Sequence, residues 1–275
     1  MKYLNIKGEH LTQIGIGGAD LGYNRKSEIN AIRYGLNHGI NVVDTAESYG
    51  ESEEIIGEAL QKVDRDKFFL VSKFLPTHAT PELEVKSLHA SLKRLGTDYL
   101  DLYLLHWRAD ADLAQAVEGM EQLQKEGLIR HWGVSNFDVS DMEDLLAINN
   151  GKNVFANEDL YNLTSRGVEF DLFPWQKERG IGFMGYSPFH AVGWRYLHPT
   201  KTLEEIAANH HATAYQVMLA WITRNDDVLT LPKAGSVSHV KDNIAAMDIQ
   251  LTPDELAVVD QEFPKPKHKV PLEKI

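Results

Sequence analysis

The chain has 275 residues, enough to bury a sizeable core and suited in length to one α/β barrel or to two smaller domains. Its 28 Lys+Arg against 40 Asp+Glu leave a formal charge of -12, which argues against non-specific attraction to nucleic acid or to anionic membranes. There is no cysteine, so disulfides, thiolate nucleophiles and sulfur-ligated metals are excluded; with no signal-like apolar start and no apolar run of membrane-spanning length, the expectation is a soluble cytoplasmic protein.

The opening "YLNIKGEHLTQIGIGG" reads as a hairpin turning at Lys7 and Gly8 and running into a first strand over 13–17. "KSEINAIRYGLNHG" then spaces Ile29, Ile32, Tyr34 and Leu36 as a helix does, with Ser27 as its N-cap and Gly39 as its stop. The β-branched run over 40–43 is a second strand ending on Asp44, with Tyr49 in the loop before the helical stretch "ESEEIIGEALQ". Further strands are "KFFLVSK" ending at Lys73, "DYLDLYLLH" at His106, "IRHWGVSN" at Asn136, "NVFANED" near Glu158, "GIGFMGYSP" near Ser187 and "DVLTLPK" at Lys233. Helical stretches such as "TLEEIAANHH" and "AYQVMLAWITRN" fall between them. The segment "TPDELAVVDQEF" is one more helix, capped by Thr252 with Pro253 at its first position, and the tail "PKPKHKVPLEKI" reads as irregular chain.

Alternating strands and helices imply a parallel sheet, because parallel neighbours need a crossover that a helix supplies. Eight such units predict a closed (β/α)8 TIM barrel of class α/β, preceded by an N-terminal β-hairpin, followed by an extra C-terminal helix, and forming one domain over 1–275. An open doubly wound sheet would want G-x-G-x-x-G directly after its first strand, and "GIGGADLG" does not have that spacing before a helix.

In a barrel of this kind the strand carboxyl ends build the active site. They carry Asp44, Lys73, His106, Ser135 with Asn136, Glu158, Tyr186 with Ser187, and Lys233. Each has a bland reading alone, Lys73 as a solvated lysine and His106 as a core histidine, but together they are chemically complementary. A phenol of ordinary pKa about 10 is a poor acid near neutrality. An adjacent ammonium lowers that value, and a carboxylate beside the ammonium keeps it charged and oriented. Asp44, Lys73 and Tyr49 form such a chain, and His106 can donate to a substrate carbonyl oxygen within reach of the tyrosine hydroxyl. A site that protonates a carbonyl oxygen needs a hydride donor opposite.

With "DTAESYG", "VSKF", "LLHW", "GVSNF", "GYSPF" and "LPKAGS" in this order, the chain resembles the aldo-keto reductases over nearly its whole length. The resemblance implies a (β/α)8 barrel that reduces aldehydes and ketones with NADPH, or with NADH, and a catalytic tetrad of Asp44, Tyr49, Lys73 and His106, with Tyr49 as general acid. It implies that Ser135 and Asn136 hold the nicotinamide carboxamide, that Tyr186 stacks on the nicotinamide, and that Ser187 lies near the pyrophosphate. Gly17, Gly18, Asp44 and Phe189 are counted with the cofactor contacts. Glu158 in "NEDLYN" takes the place of a family glutamine, and a carboxylate accepts from an amide NH2 but cannot donate. In "PKAGSVSHVKDN" Lys233 is kept, Ala234 replaces a serine and His239 stands where an arginine grips the adenosine 2'-phosphate; Ser236 and Asn243 are further contacts. Losing the guanidinium weakens phosphate recognition, so the expected choice of NADPH over NADH is modest.

Substrate contacts are expected from Tyr49, His106, Trp107 and Trp194, with Phe189 and Tyr196 as further aromatic walls or as packing of the same loop. Arg108 reads either as an attractor of anionic substrates or as a solvated residue. The short stretch after His106 and the short tail beyond Phe263 predict an open pocket for a small-molecule aldehyde or ketone. By the same resemblance the protein is a monomer. A metal-dependent hydrolase would want clustered ligands such as His-x-His, and His210 and His211 are adjacent in a helical stretch, so no metal site is expected. The competing reading is a non-catalytic nicotinamide-nucleotide-binding, redox-sensing module.

Overall fold

The computed structural model describes residues 1–191, 195–233 and 235–275; Trp194 lies outside the described residues, as does Ala234. In chain order the elements are β1 (Tyr3–Ile6), β2 (Glu9–Thr12), β3 (Ile16–Gly17), α1 (Arg25–Asn37), β4 (Val42–Asp44), α2 (Ser52–Leu60), β5 (Phe69–Phe74), α3 (Pro81–Leu95), β6 (Leu100–Leu105), α4 (Leu113–Lys125), β7 (Ile129–Ser135) and α5 (Val139–Ala147). There follow β8 (Ala156–Leu160), α6 (Leu172–Glu178), β9 (Gly182–Tyr186), the two short strands β10 (His190–Ala191) and β11 (Arg195–Tyr196), α7 (Lys201–Asn209), α8 (Ala214–Ile222), β12 (Val228–Leu231), α9 (Val237–Ala246) and α10 (Pro253–Glu262).

Eight parallel strands run in the order β12-β9-β8-β7-β6-β5-β4-β3, and parallel bridges from Ile14 to Thr230 and from Gly17 to Lys233 join the two ends. The expected barrel, its leading hairpin and its trailing helix are all present. Close approach on both sides of β3 requires glycine: a Cβ on Gly17 would stand 2.7 Å from the Leu231 carbonyl oxygen across the seam, and one on Gly18 would stand 2.6 Å from that of Asp44 on β4. Packing thus accounts for both glycines.

Strands β5 and β6 are buried at every position, as strands covered on both faces must be. Outward residues such as Leu70, Phe74 and Tyr103 join the layer packed under the helices. Inward residues form a separate cluster of Val42, Phe69, Val71, Leu102, Leu104, Ala156, Met184, Leu229 and Leu231, stopped at one end by Leu4, Ile6 and Leu11 of the hairpin. Burying such side chains stabilises by about 1.5–3 kcal/mol each.

The helix starts obey local chemistry. At α10, Thr252 is the cap as expected, and Glu255 completes a reciprocal capping box with it. At α1 the cap is Asn24, whose side chain accepts from the Ser27 backbone N–H at 3.2 Å; the expected cap, Ser27, lies inside the helix and donates its hydroxyl to the Gly235 carbonyl at 3.1 Å. The helix begins one turn before its apolar stripe, so the stripe alone misplaces the cap.

Candidate active site

Side chains alternate across a strand with a period of two, so a row that begins apolar inside the barrel stays inside to its end. Phe69 and Val71 lead to Lys73, Val42 leads to Asp44, and Leu102 with Leu104 leads to His106 just past β6. Ala156 leads likewise to Glu158, Met184 to Tyr186, and Leu229 with Leu231 to Lys233. The apolar rows set the heading of each polar end group.

Lys73 is fully buried. Its ammonium donates to Asp44 Oδ1 at 2.5 Å and to the Thr45 carbonyl at 3.1 Å, and lies 3.3 Å from Glu158 Oε1. The Thr45 and Glu158 partnerships were not anticipated from the sequence. Burial disfavours charge on Lys73, but the charges of Asp44, Glu158 and the nearby phenol outweigh it and hold its pKa above the ordinary lysine value. Burial raises the Asp44 carboxyl, against the pull of Lys73. Burial, then the charge of Asp44, pushes Glu158 up to about 8, and its Oε2 is buried with no hydrogen-bond partner.

Tyr49 stands above this cluster, with Lys73 Nζ 5.3 Å from its ring centroid. Its hydroxyl is 3.3 Å from His106 Nε2, and Ser48 Oγ is 3.4 Å from His106 Nδ1, so each ring nitrogen faces a hydroxyl. Burial, followed by the positive charge of Lys73, lowers His106 to about 3, which keeps the imidazole neutral and leaves it one N–H to donate. The expectation of a lowered phenol pKa is reversed. Burial raises Tyr49, the charges of Asp44 and Glu158 add to it, and the opposing effect of Lys73 is smaller than their sum.

Glu47 clamps the Tyr49 loop from behind. Its carboxylate accepts from the Leu75 N–H at 2.7 Å and from the Ser87 hydroxyl, and meets His78 Nδ1 at 2.8 Å. This clamp was also missed, since Glu47 reads in the sequence as one more loop acid.

The cofactor candidates occupy two clusters. In the first, Asn136, at positive φ, donates from Nδ2 to the His106 carbonyl and to Ser135 Oγ, and accepts from the Tyr186 hydroxyl at 2.7 Å; Ser135 in turn donates to the Glu158 carbonyl at 2.8 Å. Ser187 follows Tyr186 in the left-handed region, and its carbonyl accepts from Asn162 Nδ2 at 3.0 Å. In the second, Ser236 caps α9 by accepting from the His239 N–H and meets Ser238 Oγ at 2.9 Å, with His239 exposed and Asn243 buried on the same helix. Lys233 Nζ lies 4.9 Å over the ring of Tyr23, a residue the sequence reading left out.

Around the mouth, Trp107 packs beside His106 with ring centroids 4.9 Å apart and remains 38% exposed. Phe189 turns edge-on to Tyr215 and packs on the helix layer, while Tyr196 is exposed. Arg108 is partly exposed but tied to two acids and not left free for an anion: it donates to Asp141 at 2.8 Å and Asp144 at 2.7 Å on α5. The tail is irregular as expected but anchored. Lys269 joins Asp138 and Asp171, the N-cap residues of α5 and α6, and Leu272 packs on the core.

The model of the Aldo/keto reductase family matches residues 13–262, and the chain belongs to that family. It is 42% identical over 255 residues to the methylglyoxal reductase YeaE of Escherichia coli (strain K12), covering 91% of this chain and 89% of that protein. Methylglyoxal reductase DkgA of the same organism is 30% identical over 257 residues, covering 92% of this chain and 90% of that one. An aldo-keto reductase from Klebsiella pneumoniae, solved in complex with NADPH, superposes with a TM-score of 0.95 at 40% identity, over 100% of this chain and 99% of that one.

Proposed function

We propose that the protein is a carbonyl reductase that uses NADPH to reduce small aldehydes and ketones, dicarbonyls such as methylglyoxal among them. What supports this most is the meeting of the Tyr49 hydroxyl with a neutral His106 at 3.3 Å, directly above a fully buried Lys73. The residues present suit the cofactor. A buried, unpartnered carboxyl oxygen of Glu158 and the amide of Asn136 suit a carboxamide, and the exposed N-terminus of α9, with Lys233 near it, suits a phosphate.

On this reading Ser135, Asn136 and Glu158 hold the carboxamide, Tyr186 covers a ring face, and Ser187 and Phe189 follow along the loop. Lys233, Ser236, His239 and Asn243 receive the adenosine end. NADPH, when bound, supplies the hydride. His106 donates a hydrogen bond to the substrate carbonyl oxygen and fixes it beside the Tyr49 hydroxyl. Tyr49 passes its proton to that oxygen as the carbon takes the hydride, and the charge of Lys73, held in place by Asp44 and Thr45, steadies the phenolate left behind. Trp107 offers an exposed aromatic wall for the substrate's carbon skeleton.

Fluorescence titrations with NADPH and with NADH, each followed by addition of methylglyoxal, test the reading. Binding of NADPH ahead of NADH followed by oxidation of the nucleotide is the expected outcome. Tight binding without oxidation across a panel of aldehydes favours the redox-sensing module instead, and no binding of either nucleotide overturns the cofactor assignment.

A further inference from the structure

Two buried carboxylates share one ammonium in this site. Asp44 takes the direct bond to Lys73 at 2.5 Å, while Glu158 reaches it only at 3.3 Å and keeps its other oxygen buried and unpartnered. With Lys73 already balanced by Asp44, an ionised Glu158 is a surplus negative charge with nothing to solvate it. Around it stand Asp44 on β4, Lys73 on β5, Tyr49 in the loop after β4, His106 after β6, Asp159 next to it on β8 and Tyr186 on β9. Ser135 and Asn136, from β7, carry no charge. Lys73 is the sole cation in that set, and His106 is neutral.

We infer that Glu158 works as the neutral acid, and that its deprotonation is a built-in alkaline brake on the reaction, acting through Lys73 on the acidity of Tyr49. While Glu158 holds its proton, the charge of Lys73 faces one carboxylate and is available to the phenolate that forms on Tyr49. Once Glu158 ionises, two carboxylates draw on the same ammonium, and the tyrosine gives up its proton less readily. Glu158 is in this sense a positioning residue for charge. The direction of each shift agrees: Glu158 is pushed up to about 8, and its negative charge is among the influences raising Tyr49. Asp44 and Glu158 titrate as a pair, so the proton belongs to the pair, and removing either ionisable group removes the step.

This inference rests on the reductase reading, and its test is therefore double. The first readout is kcat for methylglyoxal reduction against pH, each protein normalised to its own plateau. The wild-type chain is expected to fall by about tenfold to a lower plateau above its alkaline break, and Glu158→Gln, which is isosteric and cannot ionise, to run flat through the same range. The second readout needs no turnover: the infrared carboxylic C=O band of the protein without nucleotide should contain one component that titrates near the same pH and is missing from Glu158→Gln. An alkaline limb unchanged in Glu158→Gln, or an infrared band unchanged by the substitution, overturns the inference. A wild-type protein that binds nucleotide and never turns over, yet shows the Glu158 band, strikes the reductase reading and the brake with it, while locating the failure in the chemistry and not in the protonation of Glu158.

Discussion

The two ends of the barrel treat buried charge in opposite ways. At the hairpin end, the buried Asp101 carboxylate receives Arg65 at 2.6 Å, Arg130 at 2.9 Å and the Leu70 N–H at 2.8 Å, and Arg130 and His131 both reach Glu9 on β2. Negative charge there is met by more than one cation. At the mouth, Asp44 and Glu158 divide a single ammonium, and one carboxyl oxygen has no partner. Both oxygens of Asp101 are thus held by guanidinium groups. At the mouth the Glu158 carboxyl, pushed up to about 8, changes its protonation near neutral pH, as a group tied to proton transfer does.

The sharpest way to break this comparison is Tyr49→Phe. Removing the proton donor should lower kcat by about 10²–10⁴-fold while NADPH affinity stays near the wild-type value; retained turnover would sink the assignment of Tyr49 as acid. Next is Asp101→Ala, which takes a partner from two guanidinium groups and leaves the Leu70 N–H without its acceptor. It should lower the unfolding free energy in urea by about 2–3 kcal/mol, with the catalytic constants of the folded protein kept. A loss of activity matching the loss of stability would show that the two ends are not separate.

Glu84→Gln sharpens the contrast through the pH dependence of stability alone. Glu84 is buried between α3 and α4 with both oxygens unpartnered, against Gly119, where a Cβ would strike the carboxyl; burial raises it to about 9. An acid raised on folding stays protonated in the native state while the unfolded chain ionises. Its contribution is therefore intact below the unfolded value near 4.5 and declines by about 1.4 kcal/mol per pH unit until about 9. Urea midpoints measured across that range should flatten in Glu84→Gln; an unchanged slope would mean that Glu84 is solvated in the native protein. This acid is unmatched like Glu158, yet it has no cation to compete for, so it bears on stability alone.

The architecture and the meeting of Asp44, Lys73 and His106 at one mouth were legible because both follow from short-range patterns. Apolar rows with a period of two end on Asp44, Lys73 and His106, and each row carries its last residue inward whatever the neighbouring strands do. What was not legible depends on distance across the barrel. Glu158 meets Lys73 between β8 and β5, strands that are not neighbours, so no local pattern announces the pair; the reversal of the Tyr49 shift follows first from burial, which depends on the closed barrel, with the charges of Asp44 and Glu158 adding to it. Ser48 and Thr45 act through a hydroxyl and a carbonyl that any loop could offer. Arg108 was open to two readings until the acids of α5, more than thirty positions away, were seen to hold it.

The hairpin stopper has a consequence for proton traffic. Leu4, Ile6 and Leu11, packed on Phe69, Phe155 and Leu229, close one end of the barrel, and Val71, Leu104 and Met184 form an apolar layer between that end and the buried acids. Exchange between the buried acids and bulk water then runs past Tyr49 and His106 at the open end. The pH that sets their protonation is therefore the one at the mouth.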